Sequence, residues 1–411
     1  MHLSRIPCPS LRPAYPISLT QIPRPEHLRA IATSQTPRSH LHSRALIAKA
    51  IYAPRRAVMA VPKTELGKQY MSSSAKPVKK ISEPRPSASI LLISPRNEIL
   101  LLHRVRTSSS FPSAHVFPGG NLSASQDGAI PGPEDEARHV DGRAYRVGAI
   151  RECFEESGIL LARKKNGEGL LEIEDSVREQ GRKDVHAGRV RFEEWVEGLG
   201  GVVDVDALLP FTRWVTPTNI PKRFTTQMYL YFLPLTQPIS SLTPSSEIPT
   251  PTSDGGVEHT AALFAPCSTW LSLARANEII LFPPQFYLMH LLSPFLSPFL
   301  SPSLELSSQI LQSQRDQVLH FLQGDGGDGK GILWADKVMS PTGFLMRKSD
   351  GRSVLALNRP GPELEARGEG RGGDEKRVVL VKFGKEGPRD VDVREKREVL
   401  AEERVEAGAK L

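Results

Sequence analysis

The sequence predicts a mixed α/β fold, and three observations predict it. Apolar runs of strand length stand at Ala88–Ile93 and Ile99–Arg104, separated by the turn-forming set Ser94, Pro95, Arg96 and Asn97. A helical pattern with an apolar side follows over residues 144–162. The longest β-rich stretch, Thr225–Leu233, comes after that helix. Strands on both sides of a helix along the chain suit a sheet covered by helices.

In order, the first two strands form a hairpin, and a short third strand at His115–Phe117 stops at Pro118-Gly119-Gly120. Residues 121–143 read as a polar loop, and the helix comes next. Val205–Val215 and Arg223–Leu235 bracket a turn rich in Pro and Thr. Trp270–Glu278 and Phe286–Leu292 read as two short helices. The repeated Ser-Pro-Phe-Leu at 293–296 and 297–300 is too short for a solenoid unit and reads as linker. Short strands are expected within 330–358 and 377–383. The resulting division is a disordered or targeting leader at 1–82, a folded domain at 83–292 with 121–143 as an insertion, and a linker with C-terminal extension at 293–411.

Charge is unevenly placed. Residues 1–64 hold ten Lys or Arg and only Glu26 as an acid, a net of +9, so the rest sums to −2 and the chain to +7. A nucleic-acid binder carries its basic excess on the folded domain, so no nucleic-acid partner is expected. Cys8, Cys153 and Cys267 form neither a CxxC pair nor a disulfide framework. No run reaches the roughly 20 apolar residues of a spanning helix, so no membrane span is expected.

The chemistry concentrates in Ala149–Ile159. On a helix, Glu152, Glu155 and Glu156 share one face, while Val147, Ile150 and Phe154 give it a core side. Like charges at these spacings cost helix stability, and a hard divalent cation with oxygen ligands reverses that cost. Arg151 is placed to fix a neighbouring carboxylate, and Gly158 either ends the helix or lets backbone approach closely. Alone, such a set is more often a solvated acidic face. Here Gly119-Gly120 upstream adds a place where backbone can approach a metal or phosphate. His103 and His115 read as structural, Trp214 and Phe286 as core.

Gly119-Gly120 together with Arg151–Ile159 resembles the two ends of the Nudix box, which is glycine, five residues, glutamate, seven residues, then Arg-Glu-apolar-x-Glu-Glu-x-Gly-apolar. The second half agrees at every defined position. The first is interrupted: Asn121–Ile150 intervene, and the two possible registers place Gln126 or Arg143 where the pattern has glutamate, with Glu134 or Glu136 as candidate substitutes. An insertion here resembles the peroxisomal acyl-coenzyme A diphosphatase branch, as do Phe211–Pro217, Lys222–Thr226 and Ile279–Tyr287.

The resemblance implies a Nudix α/β/α sandwich with a mixed sheet, and Mg²⁺ or Mn²⁺ acting on a diphosphate. By it, Glu152, Glu155, Glu156 and the Gly120 carbonyl hold the metal, with Glu155 as third ligand or base. Arg151 belongs to the catalytic set, and Glu258, after Asp254-Gly255-Gly256, is the candidate additional glutamate. Arg104, Arg106, Lys222 and Arg223 are candidate contacts to substrate phosphates. The implied reaction cleaves coenzyme A or acyl-coenzyme A to adenosine 3′,5′-diphosphate and an (acyl-)4′-phosphopantetheine. The alternatives are a pyrophosphatase for another nucleoside diphosphate such as ADP-ribose, and a binding module without turnover. The terminal Ala409-Lys410-Leu411 resembles a peroxisomal address read by an import receptor. The basic leader points instead to mitochondria, or is simply disordered, or precedes a start at Met71.

Overall fold

The computed structural model describes residues 81–106, 112–167, 169–235, 251–252, 259–298, 304–327 and 329–408. The leader expectation falls almost wholly outside them, as do Glu258 and the terminal tripeptide.

The chain opens with β1 (Arg85–Ile93) and β2 (Ile99–Arg104), paired antiparallel through Ile93 and Ile99. The expected third strand divides in two, β3 (His115–Val116) and β4 (Gly119–Asn121). β3 pairs with β2, whereas β4 turns back onto β1, setting Gly119 opposite Ser89 and Gly120 opposite Ala88. The double glycine therefore continues as a strand. The expected loop at 121–143 is also ordered, holding the four-residue turn α1 (Ala124–Asp127) and a 3-10 turn at Glu136–His139.

The long helix α2 (Arg143–Ser157) is shorter than the 144–162 expectation at its far end. Gly158 adopts φ 73°, and its N–H donates to the Phe154 carbonyl at 2.8 Å, which closes the helix. Ile159–Ala162 then run on as buried chain into β5 (Ala162–Lys164). Two helices follow, α3 (Asp175–His186) and α4 (Phe192–Gly198), before β6 (Gly201–Val203) pairs with β5. β7 (Leu209–Val215), β8 (Phe224–Phe232) and β9 (His259–Ala265) complete the strands of the domain, with α5 (Cys267–Arg275) and α6 (Pro283–Leu292) after them.

β1 and β8 run parallel, Arg85 opposite Phe224 through Ile93 opposite Phe232, while β7 and β9 pair antiparallel with β8 and β2. The sheet is mixed and buried on both faces, hence the near-continuous apolar runs of β1 and β8. Ala88, Ile90 and Leu92 join the core beneath α2, where Val147, Ile150 and Phe154 pack. Leu91 and Ile93 are equally buried. α6 meets β7 through a Trp214–Tyr287 edge contact of 5.8 Å between centroids. Phe154 also stacks on Trp195 of α4 at 4.9 Å, so α2 is packed between sheet and helix. Truncating Phe154 to alanine is expected to cost about 3–5 kcal/mol.

The C-terminal segment joins this body. α7 (Leu304–Leu322) sends Arg315 to Asn97 Oδ1, the Ser94 carbonyl and the Leu233 carbonyl at 2.8–2.9 Å. β10 (Val338–Met339) adds in parallel to β7. β11 (Thr342–Met346), β12 (Ser353–Leu357), β13 (Asp374–Gly384) and β14 (Gly387–Glu395) form a separate antiparallel sheet. Before β13 comes the short α8 (Pro362–Ala366), and α9 (Lys396–Gly408) covers the sheet with Val399 in its core. The extension clasps the insertion: Arg367 donates to the Asp135 and Pro133 carbonyls, and Arg371 to the His139 carbonyl, all at 2.9–3.0 Å. Among the described residues no helix is long and apolar enough to cross a membrane.

Candidate active site

α2 packs on β1 and β4, so its acidic face meets the double glycine. A Cβ at Gly120 would stand 2.5 Å from the Glu152 carboxyl carbon, and a Cβ at Gly119 would stand 2.4 Å from the Ala88 carbonyl oxygen. Glycine is needed at both places, at Gly119 also for its φ of +154°. The Gly119 N–H donates to Glu156 Oε2 at 2.8 Å.

Arg151 is buried and uses all five of its N–H donors. Nε and Nη2 grip the two oxygens of Asp127 at 2.7 and 2.9 Å. Nη1 reaches Glu152 Oε1 at 2.9 Å and Glu155 Oε1 at 2.8 Å, and Nη2 also donates to the Asn121 carbonyl at 3.1 Å. Burial works against the charge, but the hydrogen bonds to Asp127 and the charges of Glu152, Asp127 and Glu155 outweigh it and hold Arg151 firmly protonated.

The three glutamates are not equivalent. Glu152 and Glu156 gather at the glycines. Glu155 is turned toward α3, with Oε1 on Arg151 and Oε2 2.9 Å from His186 Nδ1. His259, at the start of β9, places Nε2 3.5 Å from Glu156 Oε1 in a fully buried position. Burial pushes the Glu152 carboxyl up to about 7; Arg151 opposes this and the Glu155 charge adds to it.

A cavity of about 480 Å³ opens beside this face. Its walls are Ser123, Ser125 and Gln126 from the insertion, Arg151 with the three glutamates from α2, and Glu179, Arg182, Lys183 and His186 from α3. Small-molecule sites of roughly 300–1,000 Å³ are usual. The donors are carboxylate and carbonyl oxygens, the set a hard divalent cation prefers. A cation beside Glu152 would also favour the charged form that burial disfavours. The residues therefore fit a divalent metal by chemistry. Among the described residues no group of three or more His, Cys, Asp or Glu already stands in ligand geometry; Arg151 holds Glu152 Oε1 and Glu155 Oε1, and His186 stands on Glu155 Oε2.

The structure thus brings together Glu152, Glu155, Glu156, Arg151 and Gly120. The basic candidates lie elsewhere. Arg104 ends β2 half-buried, Arg106 and Lys222 are exposed, and none of them lines the cavity. Arg223 is buried, not free for a phosphate: it donates to the Ser82 and Thr216 carbonyls at 2.9 Å and to both oxygens of Glu363 in α8. Glu258 lies outside the described residues.

Sequence reasoning missed Asp127, His186 and His259. Asp127 is the first carboxylate after Gly119-Gly120, one residue past Gln126, where the box spacing pointed. Gln126 itself is structural, its amide tied to the Val185 and Val190 carbonyls and the Phe192 N–H. Glu134 and Glu136 are exposed and take no part in holding Arg151.

Residues 133–292 match the family described as the NUDT19 Nudix domain. Nudix enzymes generally use divalent metals. More particularly, the chain resembles the acyl-coenzyme A diphosphatase branch. It is 30% identical over 236 residues to the acyl-coenzyme A diphosphatase NUDT19 of Gallus gallus, covering 46% of this chain and 59% of that protein. The Xenopus laevis protein of the same name is 26% identical over 280 residues, covering 56% and 70%. A putative nudix hydrolase 7 of Caenorhabditis elegans is 32% identical over 147 residues, covering 36% and 43%. The chain therefore spans about half the length of the first two of these relatives by identity, 43% and 59%. A Nudix hydrolase structure from Alicyclobacillus acidocaldarius aligns at TM-score 0.40 and 23% identity, over 56% of this chain and 97% of that one.

Proposed function

We propose that this chain is a metal-dependent diphosphatase that hydrolyses coenzyme A or acyl-coenzyme A to adenosine 3′,5′-diphosphate and (acyl-)4′-phosphopantetheine. The observation that carries the reading is the convergence of Glu152, Glu155 and Glu156 on one cavity wall, oriented by Arg151 and cradled by Gly119-Gly120. The activity for which the Gallus gallus and Xenopus laevis relatives are named supports the choice of substrate.

Glu152, Glu156 and the Gly120 carbonyl, with Glu155 beside them, are the residues to hold Mg²⁺ or Mn²⁺. Held there, a divalent cation would supply charge neutralisation at the phosphate oxygens and activation of water. The protein's own part is orientation. Arg151 fixes Glu152 and Glu155 from one side, and His186 holds the second Glu155 oxygen from the other. The hydrolysis breaks one bridging P–O bond, adds a water oxygen to phosphorus and leaves the water proton with a carboxylate of the cluster. The test is product analysis with coenzyme A, acyl-coenzyme A and ADP-ribose in Mg²⁺ or Mn²⁺. Release of adenosine 3′,5′-diphosphate is expected; preferential cleavage of ADP-ribose replaces this reading with its pyrophosphatase alternative.

Peroxisomal delivery through Ala409-Lys410-Leu411 and an import receptor belongs to the same proposal. Masking Leu411 with a C-terminal tag should abolish peroxisomal targeting, and unchanged import would reject it.

A further inference from the structure

The cavity lies between α2 and α3, and the α3 wall carries Glu179, paired with Arg182, beside its basic groups. The α2 wall presents Glu152, Glu155 and Glu156, and a diphosphate approaching it needs positive charge from elsewhere. Four cationic or titratable basic side chains line the space: Arg151, Arg182, Lys183 and His186. Arg151 is saturated by Asp127, Glu152, Glu155 and the Asn121 carbonyl. Arg182 is committed to the Glu155 carbonyl at 2.8 and 3.1 Å, to Thr252 Oγ1 at 2.8 Å and to Glu179 at 3.2 Å. His186 holds Glu155. Lys183 is exposed on the cavity wall and has no ion pair among the described residues.

Its placement is built into the fold. α3 is fastened to the end of α2 by Arg182 on the Glu155 carbonyl, one residue before Lys183. Val185 is buried two residues later, and its carbonyl accepts from Gln126 at 3.3 Å. A Cβ on Gly181 would stand 2.1 Å from the Trp195 ring, so α3 also lies hard against α4. The helix that presents Lys183 is therefore held in register with the carboxylates across the cavity.

We propose that α3 is the anion-binding wall of this cavity and that Lys183 takes a phosphate oxygen of the substrate. The inference rests on the carboxylate face being the site of diphosphate hydrolysis. A phosphate oxygen on Lys183 belongs either to the scissile diphosphate or to a separate phosphomonoester on the same molecule.

The test uses the full chain and the substitutions Lys183→Ala and Lys183→Arg. Turnover is measured on coenzyme A and on dephospho-coenzyme A, which lacks the phosphomonoester. Binding of inorganic diphosphate and of adenosine 3′,5′-diphosphate is measured separately by calorimetry without metal. Lys183→Ala should raise KM and the product Kd on the order of tenfold, as loss of a charged hydrogen bond does, with the loss on KM rather than kcat. Lys183→Arg should restore most of it. An effect confined to coenzyme A and its product assigns the phosphomonoester; an equal effect on dephospho-coenzyme A and inorganic diphosphate assigns the scissile group. Unchanged KM and Kd in a folded Lys183→Ala protein overturn the proposal. If the parent chain cleaves neither substrate while Lys183→Ala still weakens diphosphate binding, the hydrolase reading fails and the anion wall stands.

Discussion

Arg151 and Arg223 are both buried, both hold carboxylates, and both stood among the residues expected to do chemistry. Arg151 orients Glu152 and Glu155, whose side chains still line a cavity. Arg223 holds Glu363 in α8 and two backbone carbonyls, joining the turn before β8 to the C-terminal extension. What separates a working arginine from a structural one is whether its partner faces a space that a ligand can enter.

The sharpest test removes the partners. Glu156→Gln removes a carboxylate proposed to hold the metal and should lower turnover by more than the roughly 10–100-fold that loss of a group orienting a metal ligand costs, with an unaltered circular dichroism spectrum. Near-normal rates in that folded variant would remove α2 from the mechanism. Arg151→Lys comes next. Lysine cannot reproduce the five-donor fork, so kcat should fall by about 10–100-fold, the range for groups that orient metal ligands. Arg223→Lys should instead lower stability by about 2–4 kcal/mol in urea unfolding, since it loosens a buried pair, and leave KM alone. A raised KM there would return Arg223 to the substrate and break the contrast.

The smallest effect is on pH. Burial holds His115 down to about 3, as it does His139, the latter with help from Arg213, Arg367, Arg138 and Arg371. The unfolded chain takes up these protons below pH of about 6.5, and the folded chain does so only near pH 3. Stability conferred by the neutral rings is thus complete above pH of about 6.5 and lost as pH falls toward 3. Each ring should raise the unfolding constant by up to about tenfold per pH unit in that window. His115→Gln should flatten the slope measured by urea titration between pH 6.5 and 5.

The contrast between the two arginines also marks what could be read in the sequence. The face of α2, its core residues and its end at Gly158 were legible because helical periodicity and αL capping act over a few residues. The pairs β1–β2 and β8 were legible as buried apolar runs. Asp127 was hidden because its meaning depends on how the chain folds between it and Arg151, 24 residues later. α3 and α4 were hidden for another reason: α3 is half charged, α4 is barely two turns long, and each has only a few buried residues, such as Val185 and Phe192. Glu363 lies 140 residues from Arg223, and no local pattern announces such a partner.

The clasp that Arg367 and Arg371 place on the insertion orders events during synthesis. A nascent chain that has emerged through residue 292 already carries both halves of the box, yet the segment between them still lacks the bonds from Arg367 and Arg371. Contacts between residues more than 230 positions apart form late, because the loop they close must be paid for first. The outer part of the insertion, from Pro133 to His139, therefore takes its last restraints only once Arg371 has left the ribosome, whereas Asp127 and Gln126 can be seated earlier by Arg151 and by the α3–α4 segment.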